Sequence, residues 1–469
     1  MSTRFFETQT LDLTPLTPIH IGCGIDFEPT NYVIDDGVLF HFDPAQVPLD
    51  ARAQQELAAA VEGSSALDVV LRVQRFFSDR ASACAGSSRS AVTVTPGVEQ
   101  WYQARVGKVV QREADGAEVG NNLAIERCAH HPHTDAPYLP GSSLKGSIRT
   151  GWLNSIDDVP PVSRDTKWGP RKDEAKQLER ELLGGSFQTD PFRFLDLADA
   201  SGDALASEIV FAVNRDKEVK IDRRTGQPRE KDLFVRREVI CGGQYRALKC
   251  EWRMDRFPDR DFRDSRNELM APAVRKRLPP FEALASAVSD FYLSRLECDL
   301  EVLTERRFCD DWLGDFRQLM GSLRSSLERG ERMLLRVGRH SGAEAVTIAN
   351  HRWFFIKGAG RPPRNYWDKT AKTLWLAGAR SIDRVGLLPF GWILVEPGGA
   401  PELPALREWC DRQPKPDLAA VRARLEQARA QAAELVRRVA EADAKRRAEA
   451  EAKALAERAE QERVKALRA

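Results

Sequence analysis

The stretch Pro140-Gly141-Ser142-Ser143-Leu144-Lys145-Gly146-Ser147-Ile148-Arg149 gathers hydroxyls, cations and glycines in one short run. Those groups together suit phosphate oxygens. The proline and glycine end an extended piece, and Ser142 or Ser143 is placed to N-cap a helix running through Leu144, Ile148 and Leu153. Lys145 and Arg149, four residues apart, share one face of that helix. Free amides at the positive helix end and two cations over the first turns would receive an anion. An ordinary capped helix with two solvated basic residues is the plain alternative. The run is not a Walker loop, because Lys145 precedes Gly146 instead of following a glycine after four spacers. Gly22-Cys23-Gly24 does not extend to a dinucleotide fingerprint either, since Phe27 stands where the third glycine belongs. ATP, GTP and NAD are discounted, and no cofactor is expected.

Two further segments carry similar chemistry. In Leu334-Leu335-Arg336-Val337-Gly338-Arg339-His340-Ser341-Gly342 a strand runs into a loop with two arginines and a histidine. Gly338 and Gly342 would let backbone approach a ligand closely. Residues 214–237 hold nine Lys or Arg against five Asp or Glu. Alternation on both sides of Thr225-Gly226 predicts a projecting β-hairpin whose tip carries Arg223 and Arg224. A solvated charged loop would read the same way. Cys128, His130, His131 and His133 are spaced too tightly for an ordinary tetrahedral metal site, and a polar loop before Pro137 accounts for them; no metal is expected. The eight cysteines include no C-x-x-C pair, so neither a disulfide scaffold nor a zinc ribbon is indicated.

The elements that must position these groups follow from periodicity. Leu11, Leu13, Leu16, Ile19 and Ile21 read as strand, Gly22-Cys23-Gly24 as a turn, and residues 32–40 as a hairpin about Asp36-Gly37. Residues 44–80 switch to helical period, a helical middle spans roughly 281–331, and 388–395 reads as the last core strand. The fold class expected is α+β. Boundaries are expected at 1–210, at 211–400 with the basic hairpin at 214–237, and at 401–469 for a charged helical tail. In that tail Leu418, Val421, Leu425, Ala428, Ala432, Leu435 and Val439 repeat at heptad spacing, a seam weakened by its alanines. Across 469 residues, 71 basic and 70 acidic side chains leave a net charge of +1, which names no partner by itself. With 42% hydrophobic and 30% charged residues the chain can bury a real core. No apolar stretch of membrane-spanning length is present, and residues 1–10 lack an apolar h-region, so a cytoplasmic protein is expected.

Taken in order, these pieces resemble a known family. Leu13-Thr14-Pro15-Leu16-Thr17-Pro18-Ile19-His20-Ile21-Gly22-Cys23-Gly24, Ile125-Glu126-Arg127, the 138–150 run, Asp190-Pro191-Phe192-Arg193-Phe194-Leu195, the Thr225-Gly226 hairpin and the Gly338–Gly342 loop are similar to the RAMP superfamily of CRISPR effector subunits. Within it they most resemble the type III-A (Csm) subunits that cap the 3′ end of a guide RNA. The resemblance implies two ferredoxin-like, RRM-related domains that hold RNA by its backbone, with a hairpin that separates or kinks bases. It also implies no nuclease centre in this subunit, and as partners a guide RNA (crRNA), other RAMP subunits and, indirectly, a target RNA in antiviral defence, with no membrane. The tail after Pro416 departs from the family pattern.

The residues taken alone point the same way. Separated basic, glycine-bearing elements suit a ligand with many phosphates. The RNP1 pattern of base-stacking RRM domains is absent, so backbone contact is expected in place of base reading. The candidate RNA-binding residues are Gly22, Gly24, Ser142, Ser143, Lys145, Arg149, Arg223, Arg224, Arg336, Gly338 and Arg339. Two other functions remain open. An endoribonuclease on the same fold would process precursor guide RNA with His20 or His340 as general base on a 2′-hydroxyl. A scaffold protein would act chiefly through the 416–469 tail.

Overall fold

The alternating apolar residues of the first strand explain the central sheet. In the computed structural model, which describes residues 6–62, 65–109, 111–112, 118–119, 123–161, 173–183, 190–221, 226, 228–229, 233–255, 278–357 and 365–468, Phe6–Pro15 is a strand buried throughout its second half. Side chains on both of its faces are covered. It pairs antiparallel with Leu248–Asp255 on one side, Leu11 opposite Cys250, and with Trp392–Pro397 on the other, Leu13 opposite Val395. The sheet order is Met333–Arg336, Trp392–Pro397, Phe6–Pro15, Leu248–Asp255, Leu195–Leu197. Along the chain the parts run strand, helix Gly141–Ser155, two strands, helix Phe281–Arg306, then the final strands. The last strand lies beside the first, and the third beside the second: this is a ferredoxin-like βαββαβ arrangement with an added edge strand.

The chain divides into two compact units, and their limits differ from the expected cuts. One comprises Met1–Asp26, Thr95–Val98 and Ile125–Pro416; the other comprises Phe27–Val94, Glu99–Ala124 and Asp417–Ala469. Cuts at 210 and 400 fall inside the first unit. The physical reason is the pairing just described, since strand 6–15 cannot leave its partners at 248–255 and 392–397 without exposing a row of ladder groups.

The first unit contains a second group of strands. Ile125–Cys128 runs parallel to Phe234–Ile240, which pairs antiparallel with Ser207–Asp216, followed by Thr373–Gly378 and Leu388–Pro389. Beyond it the expected basic hairpin forms, with Lys220 opposite Arg229 and Gly226 at φ +67°. Its tip residues Arg223 and Arg224 lie outside the described residues. Helices 141–155 and 281–306 cross closely because Gly151 has no side chain: a Cβ there would sit 2.8 Å from Val288 Cγ1.

In the second unit Tyr32–Asp35 and Val38–Phe42 form the expected hairpin, with Asp36 and Gly37 both at positive φ, and Ser88–Val94 extends it. Asp50 and Ser65 cap helices Ala51–Val61 and Ala66–Ser78. The tail is a helix, Leu418–Arg468. Its seam packs on its own unit: Ala428 joins Phe40, Phe42, Phe76, Phe77 and Cys84 in one cluster, with Val421 and Leu425 beside it. A Cβ on Gly86 would stand 2.3 Å from the Ala432 Cβ, so the alanines that weaken a coiled coil here allow a close approach to helix Ala81–Gly86. Arg424 fixes the register through Asp35 and Asp36. Among the described residues no helix is long and apolar enough to cross a membrane.

Candidate nucleic-acid interface

An open groove of about 630 Å³ forms where three segments of the first unit meet. Ile21, Gly22 and Gly24 come from the turn after the first strand. Ser143, Gly146, Ser147 and Thr150 come from helix 141–155, and Arg336, Gly338, Arg339, Ser341 and Val346 from the loop after strand 333–336. Glu126 completes the lining.

Close backbone packing holds the loops. Gly338 has φ +82°, and a Cβ on it would strike the His20 carbonyl oxygen at 2.4 Å, so only glycine fits. Arg339 N–H then donates to that same oxygen at 2.8 Å. Val337 N–H donates to Gly391 O, and Gly391 N–H to Pro18 O. The helix is tied in from the other side, where Ser147 Oγ donates to the Arg336 carbonyl at 2.9 Å and Tyr292 OH donates to the Ser147 carbonyl. Gly24, at φ +76° with open space around its Cα, leaves its turn accessible.

The charges are arranged less simply than their spacing in sequence suggests. Arg336 is buried, with Nη1 2.6 Å from Asp299 and Nε donating to Phe390 O, and it lies over the Trp392 ring. It supports the groove floor and is not a free cation. Arg339 is 57% exposed and reaches Glu126 Oε1 at 2.5 Å. The other Glu126 oxygen is 2.8 Å from Arg237 Nη1.

Lys145 and Arg149 are on a different side of their helix. Lys145 Nζ donates to Leu195 O at 2.5 Å, and burial lowers its pKa despite Asp196 and Asp190 nearby. Arg149 spans Asp190 at 2.6 Å and Glu179 at 3.0 Å and covers the Phe192 ring. Lys145 is thus held by a backbone carbonyl and Arg149 by two carboxylates, and neither lines the groove. The serine cap is also corrected: neither Ser142 nor Ser143 caps the helix, and Gly141 N–H donates instead to Asp199 Oδ1 at 2.8 Å. A carboxylate thus already occupies the positive helix end. Ser142 is exposed and is not part of the groove's lining, whereas Ser143 contributes to it.

Both candidate histidines lie beneath this surface. His20 is fully buried, its Nδ1 donates to Glu238 O at 2.7 Å, and burial lowers its pKa. His340, at φ +69°, packs against Trp375 and Phe390 and accepts from Arg237 Nε at 3.3 Å. Burial, then the neighbouring Arg237, push it down to about 3. At the cysteine-histidine cluster Cys128 is buried and His130 Nδ1 donates to the Cys128 carbonyl. Among the described residues no group of three or more His, Cys, Asp or Glu is placed to hold a metal ion.

Sequence reasoning gave no role to Glu126 or Arg237, and from the face formed by Ser143, Gly146, Ser147 and Thr150 it took only Ser143. That face was visible as small residues at i, i+3, i+4 and i+7. Glu126 had no local signal, because only the strand register that sets it opposite Arg237 reveals its partner.

Residues 12–272, more than half of the chain, match the RAMP superfamily, and the chain belongs to that family. It is similar to "CRISPR system Cms protein Csm5" of Methanocaldococcus jannaschii, at 24% identity over 189 residues. That match covers 39% of this chain and 41% of the relative, so it spans about two-fifths of the relative's length. Among solved structures, the crystal structure of T. onnurineus Csm5 aligns over 82% of this chain and 99% of that one, with 16% identity and a TM-score of 0.44. A chain of a Csm-crRNA-target RNA ternary complex from a type III-A CRISPR-Cas system, solved by cryo-EM, aligns over 83% and 100%, with 17% identity and a TM-score of 0.42.

Proposed function

We propose that this chain is a non-catalytic, guide-RNA-binding subunit of a type III-A CRISPR effector complex, holding the RNA backbone near its 3′ end and capping the assembly. Its partners are then the guide RNA and neighbouring RAMP subunits, with target RNA met only indirectly. The observation that carries the reading is the groove itself: three segments distant in sequence converge with glycine turns and a small-residue helix face, leaving accessible backbone and one exposed arginine. Such a surface contacts phosphate and sugar without reading bases, as a subunit serving many guides requires. Membership of the RAMP superfamily and the Csm5 relative support it.

Gly22, Gly24, Ser143, Gly338 and Arg339 contact the strand in this reading, Arg336 positions the loop, and Arg223 and Arg224 remain candidates on the hairpin. The endoribonuclease reading gains nothing from the geometry. His340 Nε2 already accepts a hydrogen bond and His20 is buried, so neither imidazole is set to take a proton from a strand in the groove.

The test is titration of the full chain with two unrelated single-stranded RNAs across a salt series. Arg339→Ala is expected to weaken both by about tenfold and to flatten the log–log salt slope by about 0.7, the value for one lost single-strand phosphate contact. Unchanged affinity and slope would remove Arg339 from the interface.

A further inference from the structure

The acidic member of the groove is the least expected. Glu126 sits where phosphates are meant to bind, yet its placement is built with care. The absent side chain of Gly22 makes room for it, since a Cβ there would lie 2.3 Å from Glu126 Oε1. Its side chain is 15% exposed and that of Arg237 11%, while Arg339 reaches in from a position 57% exposed. One carboxylate therefore joins a recessed cation to a long, exposed one, leaving a local excess of one positive charge among the three.

The two pairs are not equivalent. Arg237 is held a second time, through Nε to His340, and its strand register fixes it beside Glu126. If Arg339 let go, Glu126 would keep Arg237, so no recessed carboxylate would be left without a partner. Arg336 has no such freedom, being buried against Asp299 and Phe390 O.

We propose that Glu126 is an internal counter-anion for Arg339, occupying the place that a backbone phosphate would take beside it. Resting on the RNA-binding reading of that groove, this assigns Glu126 a role in ligand selection. An isolated phosphate must displace it with a single contact and fails. A continuous phosphodiester strand displaces it while the other parts of the groove hold neighbouring nucleotides, and succeeds. The groove is thereby kept from filling with small anions before RNA arrives.

The experiment measures single-stranded RNA affinity of the full chain, with inorganic phosphate as competitor, for the parent protein, Glu126→Gln, Arg339→Ala and the double variant. Glu126→Gln is expected to bind RNA about tenfold tighter, with a steeper salt slope, and to become sensitive to phosphate competition. In the Arg339→Ala background the same change should have little effect. If Glu126→Gln melts like the parent yet binds RNA no tighter while Arg339→Ala weakens binding, the counter-anion role is overturned and the RNA reading stands. If the parent binds no RNA, both fall. Should Glu126→Gln fail to fold, Glu126→Gln combined with Arg237→Gln serves the same test, because it removes the recessed cation together with its carboxylate, keeps the net charge and leaves Arg339 without Glu126; it too should bind RNA more tightly than the parent, and equal or weaker binding refutes the role.

Discussion

Helix 141–155 presents two polar faces with opposite fates. On one, Lys145 and Arg149 carry full charges and are consumed by Leu195 O, Asp190 and Glu179. On the other, Ser143, Gly146, Ser147 and Thr150 carry no charge and line the groove. Cations spaced for phosphate thus have partners within the chain, and the face that lines the groove is the one with almost no side chain. A sequence displays its positive charges but not the anions that distant segments bring to them.

The largest effect that could break this contrast concerns Arg149. Arg149→Ala would leave Asp190 and Glu179 without their cation and is expected to destabilise the fold by about 1–3 kcal/mol, less than a fully buried pair because Glu179 is 44% exposed. Chemical denaturation measures this, and the folded fraction should keep the parental salt slope for RNA. A flattened slope would return Arg149 to the interface.

A smaller effect separates the groove floor from the far face in acid. His340 titrates at about 3 when folded and at an ordinary 6.5 when unfolded, so it favours folding above 6.5 and that contribution is lost as pH falls toward 3. His340→Asn, which tolerates the positive φ and cannot protonate there, is expected to melt with a shallower decline between pH 7 and 4.5 than the parent. Parallel melting curves across that range would show that the imidazole is not buried neutral.

The smallest effect tests the small-residue face directly. A Cβ at Gly146 meets nothing within 4 Å, so Gly146→Ala should stabilise the helix by about 0.5–1 kcal/mol while measurably weakening RNA binding. Equal binding would mean that the strand does not approach this face.

Much of the framework was legible from periodicity and turn chemistry. The Asp36-Gly37 hairpin, the helix through Leu144, Ile148 and Leu153, helical structure over roughly 281–331 and the strand leading into Gly338 all follow from local pattern, although the 281–331 stretch is two helices, Phe281–Arg306 and Asp310–Glu328. Gly22, Gly24, Ser143, Gly338 and Arg339 were singled out and do converge on one groove. The helix cap was not legible, because Asp199 lies 58 residues from Gly141. Nor was the pairing of Arg339 with Glu126, which are 213 residues apart. Local rules find donors, while tertiary pairing decides which of them remain free.

The position of the opening strand has a consequence for biogenesis. Because Leu11, Asp12 and Leu13 are zipped to Pro397, Glu396 and Val395, the nascent chain must emerge through its last core strand, Trp392–Pro397, before its amino-terminal segment can dock on that side. Closure is therefore a late, high-contact-order event. Translation stalled at residue 390 would leave one edge of the first strand open to aggregation or to a chaperone.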